Sequence, residues 1–231
     1  MRRCRISELA HVQRIPEPEL MDDPAQALAY ASADFSEPHD RFVALFMERF
    51  GTALGGTVLD LGCGPGDICR RLARALPDCE IHGIDASRAM LDLAIADTKH
   101  HALSGRIGYH LGYLPDTQLP RRHYDAVISN SLLHHLKDPA GLWQSVQQFA
   151  RPGASVFVMD LMRPASRAAA SQLVDKYACG EPELLQRDFY NSLLAAYRPQ
   201  EVRLQLEQSG LAELHIETVS DRHFIVFGYL G

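Results

Sequence analysis

No stretch of this sequence approaches the roughly 18 uninterrupted apolar residues that a membrane-crossing helix requires, so no membrane span is expected. A basic excess is also missing: 23 Lys and Arg stand against 29 Asp and Glu, for a formal net charge of −6. Proteins that track a phosphate backbone usually carry a basic stripe, because counterion release drives the binding. Here Arg70, Arg71 and Arg74 read as a helix surface and Arg121-Arg122 as a turn, so nucleic acid is not an expected partner. The five cysteines, Cys4, Cys63, Cys69, Cys79 and Cys179, form no C-x-x-C pair. An odd count without a framework points to reduced thiols in a cytoplasmic protein. Met1-Arg2-Arg3-Cys4-Arg5 is basic, but no apolar segment comes after it, so a secretory signal is not expected. The chain also shows no internal repeat and no low-complexity tract, which excludes a repeat architecture.

The residues present suffice for one α/β domain with an appendage: 231 in all, 46% of them hydrophobic. The most informative stretch is Val58-Leu59-Asp60-Leu61-Gly62-Cys63-Gly64-Pro65-Gly66-Asp67. Val58, Leu59 and Leu61 predict a buried strand, and the residues from about Ile68 to Leu76 predict a helix. Gly62, Gly64 and Gly66 form the turn between them, where backbone must come close to a ligand and a Cβ would obstruct it. Such strand-to-helix turns are where open α/β sheets bind ligands. A dinucleotide fingerprint would need a third glycine at position 67, and Asp67 stands there instead. Asp85 lies 25 positions after Asp60, at the end of the short apolar strand Glu80–Asp85. Its carboxylate can accept two hydrogen bonds from a ribose diol, or cap a helix over Ser87–Ala96, and both can hold.

Residues 1–19, with Pro16 and Pro18, read as an extended arm. One or two helices run from Leu20 to Phe50, with Asp23-Pro24 as a start signal and a break expected near Glu37-Pro38. After Gly51 and Gly55-Gly56 the chain alternates strand and helix, which predicts a parallel sheet covered on both faces. Between Met162 and Gln200, helical runs at Ala168–Tyr177 and Glu183–Tyr197 are separated by Cys179-Gly180-Glu181-Pro182. A further helix, Gln200–Ser209, is closed by Gly210, and Leu214–Val219 with Phe224–Tyr229 reads as a terminal hairpin.

The acid ahead of a G-x-G-x-G loop resembles the first motif of the class I S-adenosylmethionine-dependent methyltransferases. Further matches are the strand-terminal Asp85, Tyr124–Leu136 as the fourth strand and the residues just after it, Arg151-Pro152-Gly153-Ala154 before a strand Ser155–Asp160, and the terminal hairpin. They cover about residues 55–160 and 200–231. The resemblance implies a Rossmann-like, seven-stranded α/β sheet with a C-terminal antiparallel hairpin and helices on both faces. It divides the chain into an arm and lid helices (1–50) and a methyltransferase domain (51–231), with a helical lid insertion at about 162–200. S-adenosylmethionine is the implied cofactor and S-adenosylhomocysteine its product. Asp60, Gly62, Gly64 and Gly66 carry over to the donor loop, Asp85 to the ribose, and Ala86, Ser87 and Met90 to the adenine pocket. Asn130 carries over to the donor's methionine ammonium. One match fails: Tyr113 stands where the family has an acid for the adenine amino group, with Asp116 three residues late.

Methyl transfer needs in-line positioning and exclusion of water, and a base only where the nucleophile must lose a proton. Ser131, His134 and His135 would share one face if their segment is helical. Metal-dependent relatives carry E-x-x-E-H here, whereas this chain has Ser131-Leu132-Leu133-His134-His135, so no metal is expected. His134 is the favoured base or orienter, against a purely packing role for both histidines. Ser129-Asn130-Ser131-Leu132 is not the [DN]-P-P-[YFW] of amide and base-nitrogen methylation. Tyr30, Asp34, Phe35, His39, Tyr190 and Arg198 are the residues expected near substrate. Tyr30 is favoured, since relatives often place an N-terminal-helix tyrosine beside the donor's carboxylate or methyl.

The expected function is metal-independent methylation of an O, N or S atom of a small-molecule metabolite. The branch most resembled holds ubiquinone and menaquinone biosynthetic and secondary-metabolite enzymes. Carbon methylation of a quinone-like ring and non-catalytic donor binding are the alternatives, with a nicotinamide dehydrogenase a third. The chain could act alone or as a homodimer.

Overall fold

Alternation within single strands separates two cores. In Val156-Phe157-Val158-Met159, the valines pack into one apolar cluster while Phe157 and Met159 pack into the other, as the two-residue period of a strand requires. The computed structural model describes residues 12–17 and 21–231. The rest of the expected arm, and Cys4 with it, lies outside the described residues.

Among the described residues seven strands form one sheet: β1 (Gly56–Leu61), β2 (Cys79–Asp85), β3 (Ile107–Leu111), β4 (Tyr124–Asn130), β5 (Ala150–Leu161), β6 (His215–Thr218) and β7 (His223–Tyr229). Their order is β3-β2-β1-β4-β5-β7-β6. The first five strands are parallel, and β7 runs antiparallel to both β5 and β6. The fold expectation therefore holds, terminal hairpin included. The order reverses between β1 and β4, which opens a crevice at their carboxyl ends.

The helices are α1 (Pro24–Ser32), α2 (Ser36–Phe50), α3 (Asp67–Ala75), α4 (Arg88–His100), α5 (Ala140–Phe149), α6 (Arg167–Tyr177), α7 (Glu183–Ala195) and α8 (Pro199–Gln208). On one face α2, α3 and α4 bury Phe46, Leu72 and Leu91; on the other α5 and α8 bury Trp143, Val146 and Leu206. Phe157 meets Phe42 and Phe46 edge-on, with ring centroids 4.9 and 5.7 Å apart. Such pairs contribute about 0.5–1.5 kcal/mol each beyond their buried area. The carboxyl half of α2 is therefore part of the core. A third, smaller cluster joins α6 to α7 through Ala170, Val174, Leu193 and Leu194.

The helical break falls at Ala33–Phe35 and not near Glu37-Pro38. Pro38 sits in the first turn of α2, where an N–H has no helical partner to lose. Asp23 caps α1 by accepting from the backbone N–H of Ala25 and Gln26, both at 2.9 Å.

Candidate active site

The loop after β1 is held to the end of β2 by two backbone bonds, from Gly62 N and Cys63 N to the Ile84 carbonyl, at 2.8 and 3.0 Å. Gly62, Gly64 and Gly66 all have left-handed backbone, with φ of 73°, 51° and 77°. They do different things there. A Cβ on Gly64 would meet open space, whereas one on Gly66 would fall 2.3 Å from the Tyr109 hydroxyl oxygen. Gly66 caps α3 and admits Tyr109, while Gly62 and Gly64 border the cleft.

That cleft has a volume of about 470 Å³. Asp60, Asp85 and Asn130 line it, from the ends of three adjacent strands, and Ala86, Ser87 and Met90 form its far wall. Asp85 accepts from Gly64 N and Ser87 N, both at 2.8 Å. Ser87 itself caps α4 through a 3.1 Å bond from Met90 N. Burial raises the Asp85 carboxyl above its ordinary range, against the pull of these backbone donors. Asp60 is more extreme. It is 1% exposed, its Oδ2 accepts from Cys69 Sγ at 3.2 Å, and its Oδ1 has no partner among the described residues. Burial, with the nearby Asp85 adding to it, pushes the Asp60 carboxyl up to about 7. Tyr113 borders the cleft, and Asp116 does not.

A second cavity of about 440 Å³ adjoins the first, and Met21, Tyr30, His39, Asn130 and Ser131 border both. Tyr30 stands at this junction. Burial and the surrounding Asp85, Asp160 and Asp67 push its phenol up to about 12, so it keeps its proton at neutral pH. Its ring lies 4.8 Å from Phe35, which in turn is 5.6 Å from His39. His39 Nδ1 lies 2.7 Å from Asp67 Oδ2, tying α2 to the first turn of α3. Burial opposes the charge on Asp67, yet hydrogen bonds from His39 and Arg71 hold its carboxyl well below the usual range.

Ser131, His134 and His135 do not share a helical face. Ser131 is left-handed at φ 55°, an uncommon conformation for a residue with a side chain, and Leu133–His135 form a single 3-10 turn. The two imidazoles, 4.0 Å apart, consequently serve different spaces: His135 borders the first cavity and His134 the second. Burial, with His134 adding to it, holds the His135 ring well below the ordinary imidazole range. His134 is 2% exposed, and its Nδ1 lies 2.6 Å from Asp160 Oδ1. Asp160 also accepts from Leu133 N and Leu161 N, both at 2.7 Å, so it is an acceptor on every side. In the neutral ring Nδ1–H donates to it, which leaves Nε2 as the acceptor nitrogen.

The turn is strapped from outside. Arg14 donates from Nη2 to the carbonyls of His134 (3.0 Å) and Leu136 (2.9 Å), and from Nε to that of Ala195 (2.6 Å) at the end of α7. Its guanidinium lies 4.0 Å above the Tyr197 ring.

Of the residues expected near substrate, Tyr30, Asp34, Phe35 and His39 border the second cavity. Tyr190 instead packs against the α6–α7 cluster, and Arg198 precedes α8 with its backbone N–H on Glu201 Oε2 at 2.8 Å. The insertion reaches the cavity through Tyr177, Glu181, Asp188 and Phe189, none of which stood out in the sequence. Asp160 was also missed; the available signal was an acid ending a strand at the same sheet edge as Asp85. His223, on β7, borders the cavity too, and burial, with Arg222 adding to it, pushes its ring down to about 4.

Among the described residues no helix is long and apolar enough to cross a membrane. Residues 58–153 match the methyltransferase domain family. The chain is 32% identical over 123 residues to an uncharacterized methyltransferase of Mycobacterium tuberculosis, covering 53% of this chain and 59% of that protein. It is 31% identical over 121 residues to the ubiquinone biosynthesis O-methyltransferase of Hydrogenovibrio crunogenus, covering 51% and 48%. The chain thus spans about half to three fifths of the length of these curated relatives. Among solved structures it superposes on an S-adenosylmethionine-dependent methyltransferase of Aquifex aeolicus, with a TM-score of 0.66, 20% identity, and coverage of 90% and 99%. The plantazolicin methyltransferase BpumL, solved with a monoazolic desmethylPZN analog and S-adenosylhomocysteine, gives 0.69 at 14% identity and coverage of 90% and 91%. At these identities the likeness is one of fold.

Proposed function

We propose that the chain is a class I S-adenosylmethionine-dependent methyltransferase, which transfers the methyl group of S-adenosylmethionine to an O, N or S atom of a small molecule, without a metal. The residues of the first cavity fit this donor. The unpartnered Oδ1 of Asp60 suits an ammonium group, which would restore the charge that burial suppresses. The Asp85 carboxylate, beyond its backbone bonds, offers acceptor capacity to the hydroxyls of a ribose. Gly62 and Gly64 let the donor lie against the backbone, Ala86, Ser87 and Met90 flank the base, and Asn130 faces the methionine end. When bound, S-adenosylmethionine supplies a methyl group already activated by its positive sulfur.

The chain's own tasks are then positional. Tyr30 offers a hydroxyl donor at the junction of the two cavities. His134 Nε2, fixed as acceptor by the bond to Asp160, takes a proton from the nucleophile and keeps it while Asp160 balances the charge. Helices α1, α6 and α7, with the first turn of α2, act as a lid that excludes water. A reduced, cytoplasmic setting suits Cys63, Cys69, Cys79 and Cys179, whose thiols are all free.

The observation that carries this reading is the shared border of the two cavities, with a histidine–aspartate pair on the acceptor side. Calorimetric titration with S-adenosylmethionine, S-adenosylhomocysteine and NAD tests it. Micromolar binding of the first two and none of NAD is expected; binding of neither sulfur nucleotide would overturn it.

A further inference from the structure

The charge balance of the second cavity is lopsided in a way that bears on the acceptor. Lys176 and Arg222, the cations on its border, are both engaged. Lys176 Nζ is 2.8 Å from Asp221 Oδ2, while Arg222 Nη2 is 3.1 Å from Glu37 Oε2 and its guanidinium lies 3.3 Å above the Tyr177 ring. The carboxylates Asp34, Glu181 and Asp188 border the same space. Asp34 accepts from Ser36 N at 2.9 Å, and Asp188 meets its neighbour Arg187 at 3.5 Å, on a mostly exposed side chain. Among the described residues no ion pair engages Glu181. The wall also carries the aromatic rings of Tyr30, Phe35 and Phe189, and that of Tyr177 beneath Arg222. Deeper in, the buried His134 presents Nε2, which has no hydrogen-bond partner among the described residues.

We propose that the acceptor is a primary or secondary amine carried on an apolar or aromatic skeleton, which enters as its ammonium ion. This rests on the methyl-transfer reading and adds the substrate class. Asp34 and Glu181, which no ion pair engages among the described residues, and the rings of Tyr30, Phe35 and Phe189 attract a cation by two routes, and both repel a carboxylate or phosphate. The buried imidazole acceptor completes the chemistry, since an ammonium has no lone pair with which to attack. Its N–H proton passes to His134 Nε2. The freed nitrogen pair then forms the N–C bond as the C–S bond breaks, its electron pair remaining on sulfur. The imidazolium so formed faces Asp160 and later releases its proton to solvent.

Three probes of one skeleton test the charge preference: phenethylamine, 2-phenylethanol and phenylacetate, titrated into protein saturated with S-adenosylhomocysteine and into free protein. Phenethylamine is expected to bind about tenfold more tightly than the alcohol, with phenylacetate weaker still. The double variant Glu181→Gln/Asp188→Asn is expected to abolish most of that advantage while leaving S-adenosylhomocysteine affinity unchanged, which also shows that it folds. Equal or tighter binding of phenylacetate, an undiminished preference in the variant, or binding of none of the probes would overturn the proposal. Failure of S-adenosylhomocysteine to bind would instead overturn the methyl-transfer reading, and the probes on free protein would still report the charge preference.

Discussion

The two cavities are built on opposite principles. The first is made at the carboxyl ends of β1, β2 and β4, largely from backbone and from residues within a few positions of a strand end. The second draws side chains from α1, α2, α6, α7, β7 and the turn after β4, joined by no local pattern. Backbone-built sites demand particular residues at fixed spacing, because the geometry is set by the main chain. Sites assembled from distant side chains can exchange one residue for another, and so differ between relatives that share a fold.

Substitutions can separate the two halves. The largest effect is expected from His134→Ala, which should lower kcat by about 10²- to 10⁴-fold, the usual contribution of a positioned base. Its affinity for S-adenosylhomocysteine should stay unchanged, since His134 borders only the second cavity. Asp160→Asn should act in the same direction, because an amide that donates to Nδ1 favours the wrong tautomer; a kcat within twofold of the parent would break the pairing. On the other side, Asp85→Ala should weaken donor binding about 10- to 100-fold by calorimetry, at about 1.5–3 kcal/mol for hydrogen bonds to a charged group. Probe binding in the second cavity should not move.

A subtler effect concerns pH. The Asp60 carboxyl is raised to about 7 in the free protein, and on the proposed reading the donor's ammonium pairs with its ionised form. Donor binding therefore expels a proton below that pH, and affinity is full above it and lost as pH falls through it. Between pH 8 and pH 6 the affinity should drop about tenfold, close to one power of ten per unit of pH below the free group's pKa. Asp60→Asn should flatten that profile. Arg14→Ala acts on stability instead: it frees three carbonyls at the edge of the site and should cost about 1–3 kcal/mol in denaturant melts. A kcat that falls further than KM rises would show that the strap also positions His134.

Legibility in the sequence divides along the same line. The loop from Asp60 to Gly66 and the strand-terminal Asp85 could be read because their roles depend on backbone geometry and local spacing. Gly66 shows the limit even there: it serves Tyr109, a residue 43 positions away, and not the cleft. Tyr30 was put forward through resemblance, and His134 through its place after the fourth strand and the chemistry of an imidazole. Tyr190 and Arg198 were misplaced because a helical run does not reveal which of its faces a distant element will cover. Asp188 and Phe189, immediately before Tyr190, occupy the face that was wanted. The expected face of Ser131, His134 and His135 failed because Ser131 breaks the backbone out of helical geometry, which no local propensity signalled.

The insertion of β7 between β5 and β6 has a consequence for how the chain is made. Phe224, Ile225 and Val226 are fully buried, and Arg222 and His223 border the second cavity. During vectorial synthesis the ribosome releases β5 long before its neighbour exists, so the nascent sheet carries an open edge along β5. The second cavity, unlike the loop after β1, is not complete until that gap is filled. A nascent chain arrested with β7 still in the exit tunnel would hold every glycine of the loop after β1 but would lack Arg222 and His223 at the second cavity.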